Sequence, residues 1–319
     1  LHFSVRLYSG GLGILAGDFL KEASDSNVNM VGVGLLYRYG YFQQSISLHG
    51  DQISNYPAQK FTLLPVVPIR DRAGDWLKVS IELPGRTVWA KVWELKVGRI
   101  SLCLLDTDLD ENNWEDRSLT HQLYGGDNEH RLKQEILLGI GGMRAIRAMG
   151  IETDVYHLNE GHAAFIGLER LRGLIEAEGM GFDEALEAVR ASALFTTHTP
   201  VPAGHDYFSE QLLRTYLHDY VVGLGISWER FIALGRIDPF NTQEDFSMSH
   251  LAIRLSQEIN GVSRLHGEVS QRMFQGLFPG YNASELHLGY VTNSVHYPTW
   301  IGREWDELYR SRCGKGFPE

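Results

Sequence analysis

The sequence predicts an α/β fold: a Rossmann-like parallel sheet with helices on both faces, plus an antiparallel β insertion near the start. Two periodicities and one alternation predict it. Between residues 61 and 107 apolar positions alternate, as in Val79-Ile81, Val88-Ala90-Val92 and Ile100-Leu102-Leu104, with turn signals at Pro84-Gly85 and Gly98. From Glu129 the apolar spacing changes to three and four, through Leu132, Ile136, Ile140 and Met143. Beyond Gly150, short apolar runs alternate with helical stretches, which implies βαβ units and a parallel sheet.

In chain order, Ser9-Gly10-Gly11-Leu12-Gly13 is a glycine-rich turn that leads into a helix with Leu15, Phe19, Leu20 and Ala23 on one face. Met30 to Tyr37 reads as a buried strand. After the antiparallel block, one helix is expected from Glu129 to Met149, with Gly150 as its stop. Thr153–Leu158 and Ala193–Thr197 read as strands, separated by helices at Ala163–Ala177 and Glu184–Ala191. Helices are expected at 207–223, 247–257 and 260–274, and a last strand at 287–292. No internal repeat, low-complexity tract or linker divides the chain, so residues 1–319 read as a single domain.

Apolar residues make up 43% of the 319 and charged residues 22%, which supports a full core and argues against disorder or a coiled coil. The formal charge is −11 and no Lys/Arg run interrupts it, so nucleic acid and anionic membrane are poor partners. Cys103 and Cys313 cannot form a disulfide framework and suit a reducing, cytoplasmic compartment. The chain opens at Leu1 without a Met, and Leu1–Arg6 is neither a signal peptide nor a membrane span. It reads as a piece of something longer.

In open α/β sheets, ligands bind beyond the carboxyl ends of the strands. The loops expected to matter are therefore 9–13, 159–162, 198–206 and 293–300. At Gly10-Gly11-Leu12-Gly13, bare N–H groups and the helix dipole would cradle an anion, although a tight turn needing positive φ explains the glycines equally well. Gly11 to Ala16 satisfies G-x-G-x-x-A, but Met30–Leu36 lacks the acidic residue that would hold a ribose, which argues against a dinucleotide. In Tyr124-Gly-Gly-Asp-Asn128, Asp127 or Asn128 either caps the following helix or belongs to a mobile gate over a polar ligand.

His157-Leu-Asn-Glu160-Gly-His162 and Thr197-His198-Thr199-Pro200 load two successive strand ends with polar groups, followed by His205 and Asp206. His157, His162, His198, His205 and Glu160 could ligate a metal, yet none has the i, i+4 spacing of H-E-x-x-H, and Pro200 and Pro202 stiffen the second loop. A polar substrate pocket without a metal is the better reading. Thr292-Asn293-Ser294-Val-His296 through Trp300 offers hydrogen-bonding groups and a flat ring, or else a structural turn anchored by Trp300.

Taken together, these motifs resemble the α-glucan (glycogen, starch, maltodextrin) phosphorylases, in wording closest to the shorter bacterial and archaeal branch. The resemblance runs in order along nearly the whole chain: Tyr8 to Asp18, Val31 to Phe42, Leu123 to Asn128, Arg131-Leu-Lys-Gln-Glu135, His157 to Ala163, Thr196 to Val201 and Val291 to Trp300. It implies reversible phosphorolysis of an α-1,4-glucan by inorganic phosphate, giving α-glucose 1-phosphate with retention. It also implies two Rossmann-like domains facing across a cleft (the GT-B arrangement), pyridoxal phosphate as cofactor, and commonly a homodimer. Residue by residue, Gly10 and Gly11 would face the substrate phosphate and, at Gly11, the cofactor. Leu12 would line the glucose pocket, and Asp127 and Asn128 would form its gate. His198 would hold the sugar 6-hydroxyl with Thr199 beside it, supported by Glu160. Asn293 would bond the sugar, and Trp300 would pack near the cofactor.

Ser294 departs from the family's usual glycine, and Arg6 stands where related sequences often carry proline. The cofactor lysine of the family lies in an S-N-M-K-like stretch of the second domain. None of Lys21, Lys60, Lys78, Lys91, Lys96, Lys133 or Lys315 sits in such a stretch. The expectation is an incomplete first, sugar-side domain, inactive alone, or else a non-catalytic glucan-binding module. A nucleotide-sugar-dependent synthase fits poorly, because Tyr8 stands where those enzymes carry lysine. A metal-dependent hydrolase comes last.

Overall fold

The computed structural model describes residues 5–123, 125–201, 204–314 and 316–317. Leu1, Tyr124, Pro202 and Lys315, which figure in the readings above, lie outside them. Helix α1 (Gly10–Asp25) opens the regular structure. The 9–13 segment, expected as a loop after a strand, is instead the N-terminus of this helix, with no strand before it among the described residues. Gly13 is required by packing, since a Cβ there would lie 2.1 Å from the Tyr8 ring.

Strand β1 (Val31–Leu35) leads to an exposed hairpin, β2 (Gln43–Ile46) and β3 (Gln52–Asn55), which the sequence reading did not anticipate. Then come β4 (Val66–Pro68), β5 (Lys78–Leu83), β6 (Arg86–Val97) and β7 (Ile100–Asp106). These build a five-stranded sheet in the order β1-β7-β6-β4, with β5 on β6. Its pairs are antiparallel except β1–β7. Period two sorts its side chains. Val79, Ile81, Val88, Ala90 and Val92 face the main core, while Trp93, Leu95, Leu102 and Leu104 pack with Leu20 and Ala23 of α1.

After the short helix α2 (Trp114–Arg117) comes α3 (Asn128–Ile136). The single helix expected to Met149 is interrupted: Leu137–Gly141 make a π-helical turn before α4 (Gly142–Ala148). Within that turn the backbone is closely approached by Phe165 and Ile166 of the helix that follows. A Cβ on Gly139 would lie 2.7 Å from the Phe165 Cβ and 2.8 Å from the Ile166 nitrogen.

The second sheet begins with β8 (Tyr156–Asn159), followed by α5 (Phe165–Glu178), α6 (Phe182–Ala191) and β9 (Ala193–Thr196). Tyr207–Phe208, expected to start a helix, is instead strand β10; α7 (Glu210–Gly223) begins after Ser209, whose hydroxyl accepts from the Leu212 N–H. Helix α8 (Trp228–Ala233) follows. Strand β11 (Phe246–Ser247), whose second residue was expected to start a helix, pairs antiparallel with β10 before α9 (Met248–Arg254). A further correction falls at Glu258–Gly261, which is strand β12, so that α10 starts only at Arg264 and runs to Phe274. Glu-Ile-Asn-Gly has no apolar alternation; its pairing with β9 and with β13 (Leu288–Tyr290) makes it a strand. Two helices, α11 (Tyr297–Trp300) and α12 (Arg303–Cys313), close the described chain.

The four strands are parallel in the order β8-β9-β12-β13. Register places Leu158, Phe195, Ile259 and Leu288 in one apolar row, all within the main core, each contributing roughly 1.5–3 kcal/mol on burial. The opposite face is polar: Asn159, Thr196 and Asn260 are in register. Buried residues of α5 to α10 share one core with that row, so these helices pack on the apolar face. Phe19 of α1 meets His157 of β8 with ring centroids 5.9 Å apart. The carboxyl ends of β8, β9 and β13 bring the segments 159–162, 198–201 with 204–206, and 293–300 to one edge of this sheet. No helix among the described residues is long and apolar enough to cross a membrane.

Candidate functional site

Glu160 is the hub of that edge. It follows β8 with φ +63°, a left-handed backbone that costs a non-glycine residue roughly 1–3 kcal/mol and persists only where the surroundings hold it. Its N–H donates to the Thr196 carbonyl at 2.9 Å, and its side chain is buried. Oε1 accepts both the His198 N–H at 2.6 Å and the Thr199 hydroxyl at 2.9 Å. The carboxylate therefore supports the backbone carrying His198 rather than the imidazole, a finer role than the resemblance implied. The imidazole is held by Asn159 instead, with Nε2 3.1 Å from its Oδ1. Burial keeps His198 below its ordinary value, against the opposing pull of Glu160.

Beside the hub, helix α3 contributes Arg131 and Glu135, one turn apart on one face. The Arg131 Nε donates to Glu135 Oε1 at 3.1 Å, and its Nη2 lies 3.2 Å from Asp206 Oδ2 and 2.9 Å from His162 Nδ1. His162 Nδ1 is 2.6 Å from Asp206 Oδ2 and 3.6 Å from Glu135 Oε1. Burial pushes the Glu135 carboxyl up to about 7, with Asp206 adding to the effect. Burial alone would lower His162, but its bonds to Asp206 and Glu135 prevail and raise it to about 9. Asp206 goes the other way: burial would raise it, but its bonds to His162 and Glu135 and the charges of His162 and Arg131 together hold it well below the usual carboxylate range.

The glutamate, histidine and aspartate each offer a ligand atom within 4.8 Å of the others. They do not fit a metal, because the Arg131 guanidinium already lies against all three groups and would repel a second cation. Nor does the structure gather the set considered from sequence. His157 Nε2 is engaged by Thr196 Oγ1 at 2.8 Å, and His205 Nδ1 by Ser249 Oγ at 2.7 Å.

Asp127 is the N-cap of α3 and accepts the His130 N–H at 2.9 Å, a bond that also holds its carboxyl below its ordinary value. Asn128 is exposed and donates from Nδ2 to the Tyr207 carbonyl at 3.3 Å, tying the turn to the same edge. Gly10 and Gly11 are exposed, with φ +72° at Gly10, and a Cβ built on either would meet nothing within 4 Å. Ser9 makes no side-chain cap, so the first N–H groups of α1 stand open. Leu12 is half-buried beside them. Asn293 donates its N–H to the Val262 carbonyl at 3.0 Å and leaves its side chain exposed. Trp300 donates from Nε1 to Asp18 Oδ2 at 2.6 Å, which pins the 296–300 segment along α1. Arg131, Glu135 and Asn159 had no role in the sequence reading. The i, i+4 spacing of the first two signals a shared face, but their partners lie on other elements.

The carbohydrate phosphorylase family model matches residues 118–311. The chain is 47% identical to the glycogen phosphorylase of Mycobacterium tuberculosis over 96% of its own length and 37% of that protein's. It is 42% identical to the maltodextrin phosphorylase of Thermococcus litoralis (98% and 37%). It is 36% identical to the glycogen phosphorylase of Aquifex aeolicus (100% and 45%). The chain thus spans less than half the length of these relatives.

Proposed function

The chain belongs to the carbohydrate phosphorylase family, and on that premise we propose that it is the sugar-side part of an α-1,4-glucan phosphorylase, a retaining glycosyltransferase of GT-B type. In this reading residues 1–319 form the incomplete first of two Rossmann-like domains, the antiparallel block included, and the parent protein is a cytoplasmic homodimer. The parent's reaction transfers the terminal glucose of the glucan to inorganic phosphate. The bond from the anomeric carbon to the glycosidic oxygen breaks, a bond to phosphate oxygen forms, and the released 4-hydroxyl takes a proton.

The observation that carries the reading is the double acceptance by Glu160 Oε1 of the His198 N–H and the Thr199 hydroxyl. It fixes the backbone that carries His198 at the carboxyl end of β9, and Asn159 holds the imidazole there, where a hydroxyl-rich ligand is expected. His198 would bond the sugar 6-hydroxyl while its carbonyl faces developing positive charge at the anomeric carbon. Asp127, Asn128 and Asn293 would close on the sugar, with Leu12 and Thr199 lining the pocket. Gly10 and Gly11, open and at a helix N-terminus, fit a phosphate. Pyridoxal phosphate, when bound, supplies proton transfer through its 5′-phosphate. Gly11 and Trp300 would border it, whereas no lysine of this chain lies in the family's anchoring motif.

Calorimetry with maltoheptaose tests the proposal. The chain is expected to bind it, and His198→Ala to abolish binding with an unchanged far-UV spectrum. In a coupled glucose 1-phosphate assay with pyridoxal phosphate added, the chain alone should give no turnover, since half a cleft cannot position both reactants. Absence of glucan binding, or turnover by this chain, would overturn the reading.

A further inference from the structure

We propose that Arg131, Glu135, His162 and Asp206 act as a proton-sharing clasp that holds helix α3, and with it the Asp127–Asn128 turn, against the two strand-end loops that carry Glu160 and His198. These are positioning residues. The inference rests on the phosphorylase reading only in treating that turn as the gate over the sugar.

The geometry argues for shared protons. Three elements meet at the clasp: α3 through Arg131 and Glu135, the turn after β8 through His162, and the segment before β10 through Asp206. Asp206 Oδ2 lies 2.6 Å from His162 Nδ1, which is also 2.9 Å from Arg131 Nη2. The nitrogen cannot both donate to the carboxylate and accept from the guanidinium, so two proton arrangements compete at one atom. Glu135 Oε2 is buried with no partner, a lone acceptor that protonation would relieve. With both acids ionised and His162 protonated, the four groups sum to zero charge. Loss of the imidazole proton leaves two carboxylates facing one guanidinium, and the clasp should loosen.

The charged and titratable groups around it are Glu160 and His198 on the strand-end loops, His205 beside Asp206, Tyr37 near Arg131, and His266 of α10, which acts on His198 and His205. Burial raises the Glu135 carboxyl, and the bonds to Asp206 and Glu135 raise the His162 imidazole, in the sense that shared protons require. A second tie, from Asn128 to the Tyr207 carbonyl, follows directly after Asp206 and couples the turn to the same segment.

The test is a pH series on this chain, with the His162 ring followed by NMR and amide protection followed by hydrogen exchange. In the wild type, His162 is expected to titrate well above 6.5. Protection of the first turns of α3 should then fall as it deprotonates, while α6 amides do not change over the same step. Asp206→Asn should lower the His162 titration by more than about one pH unit and cut α3 protection at least about tenfold, the size of a lost charged hydrogen bond. Glu135→Gln keeps the shape and should preserve protection while removing any step between pH 5 and 7. An ordinary His162 titration, α3 protection that ignores it, or equal loss in Glu135→Gln at every pH would overturn the clasp. If Asp206→Asn fails to fold, the wild-type series decides. None of these readouts uses glucan, so a failure to bind sugar would sink the phosphorylase reading and leave this inference standing.

Discussion

Two buried glutamates on neighbouring helices behave in opposite ways. Glu169 of α5 is fully buried, and Arg144, Arg147 and Arg172 converge on its carboxylate, with the Tyr220 hydroxyl donating at 2.7 Å. Burial would raise it, but the Arg172 bond and the charge of Arg144 prevail and hold it below its ordinary value. Glu135 of α3 is as deeply buried but has one arginine, a histidine and a second carboxylate, and it is pushed up to about 7. Burial alone therefore does not decide what a carboxylate does. The local balance of cations does, and the poorly balanced one lies at the ligand edge, where perturbed groups concentrate.

Breaking the balanced site should have the largest effect. Glu169→Gln leaves two half-buried arginines, Arg144 and Arg172, and the more exposed Arg147 without their counter-charge, and is expected to cost roughly 3–5 kcal/mol in urea unfolding. A loss below about 1 kcal/mol would show that those arginines find water instead, and the contrast would collapse. The pH dependence of stability sharpens it at intermediate size. Glu169 and Asp206 are lowered, so their contribution is complete above the unfolded carboxylate range and is lost as pH falls through their folded values. Glu135 is raised, so its contribution is complete below about 4.5 and is lost as pH rises towards about 7. His162 extends the decline from about 6.5 to about 9. Stability measured across this range should therefore fall at both ends, and a flat profile between pH 5 and 9 would remove the distinction between the two glutamates. The smallest change is expected from Asp127→Ala, which deletes the cap of the helix carrying Glu135. A small drop in the urea midpoint is expected, with the Glu169 site untouched.

Where the information was local, the sequence alone determined the structure. Alternation over Val79–Leu104 determined the antiparallel strands, because each of those side chains meets one of two faces whatever lies beyond. The stripe of Leu20 and Ala23 determined the buried side of α1 in the same way. Motif order also marked the 159–162 and 198–206 segments as the chemical edge. Tertiary structure alone decided β10, β11 and β12, whose short stretches become strands only by pairing with each other or with β9 and β13. It also decided that residue 139 must be glycine, since it meets a backbone 26 residues further on. The site itself belongs to this second group. Glu160 reaches His198 across 38 residues, His162 reaches Asp206 across 44 and Arg131 reaches it across 75. Residue types at those positions carry no record of which partner is near, whereas distance, burial and charge balance, which settle their chemistry, exist only once the sheet has brought its strand ends together.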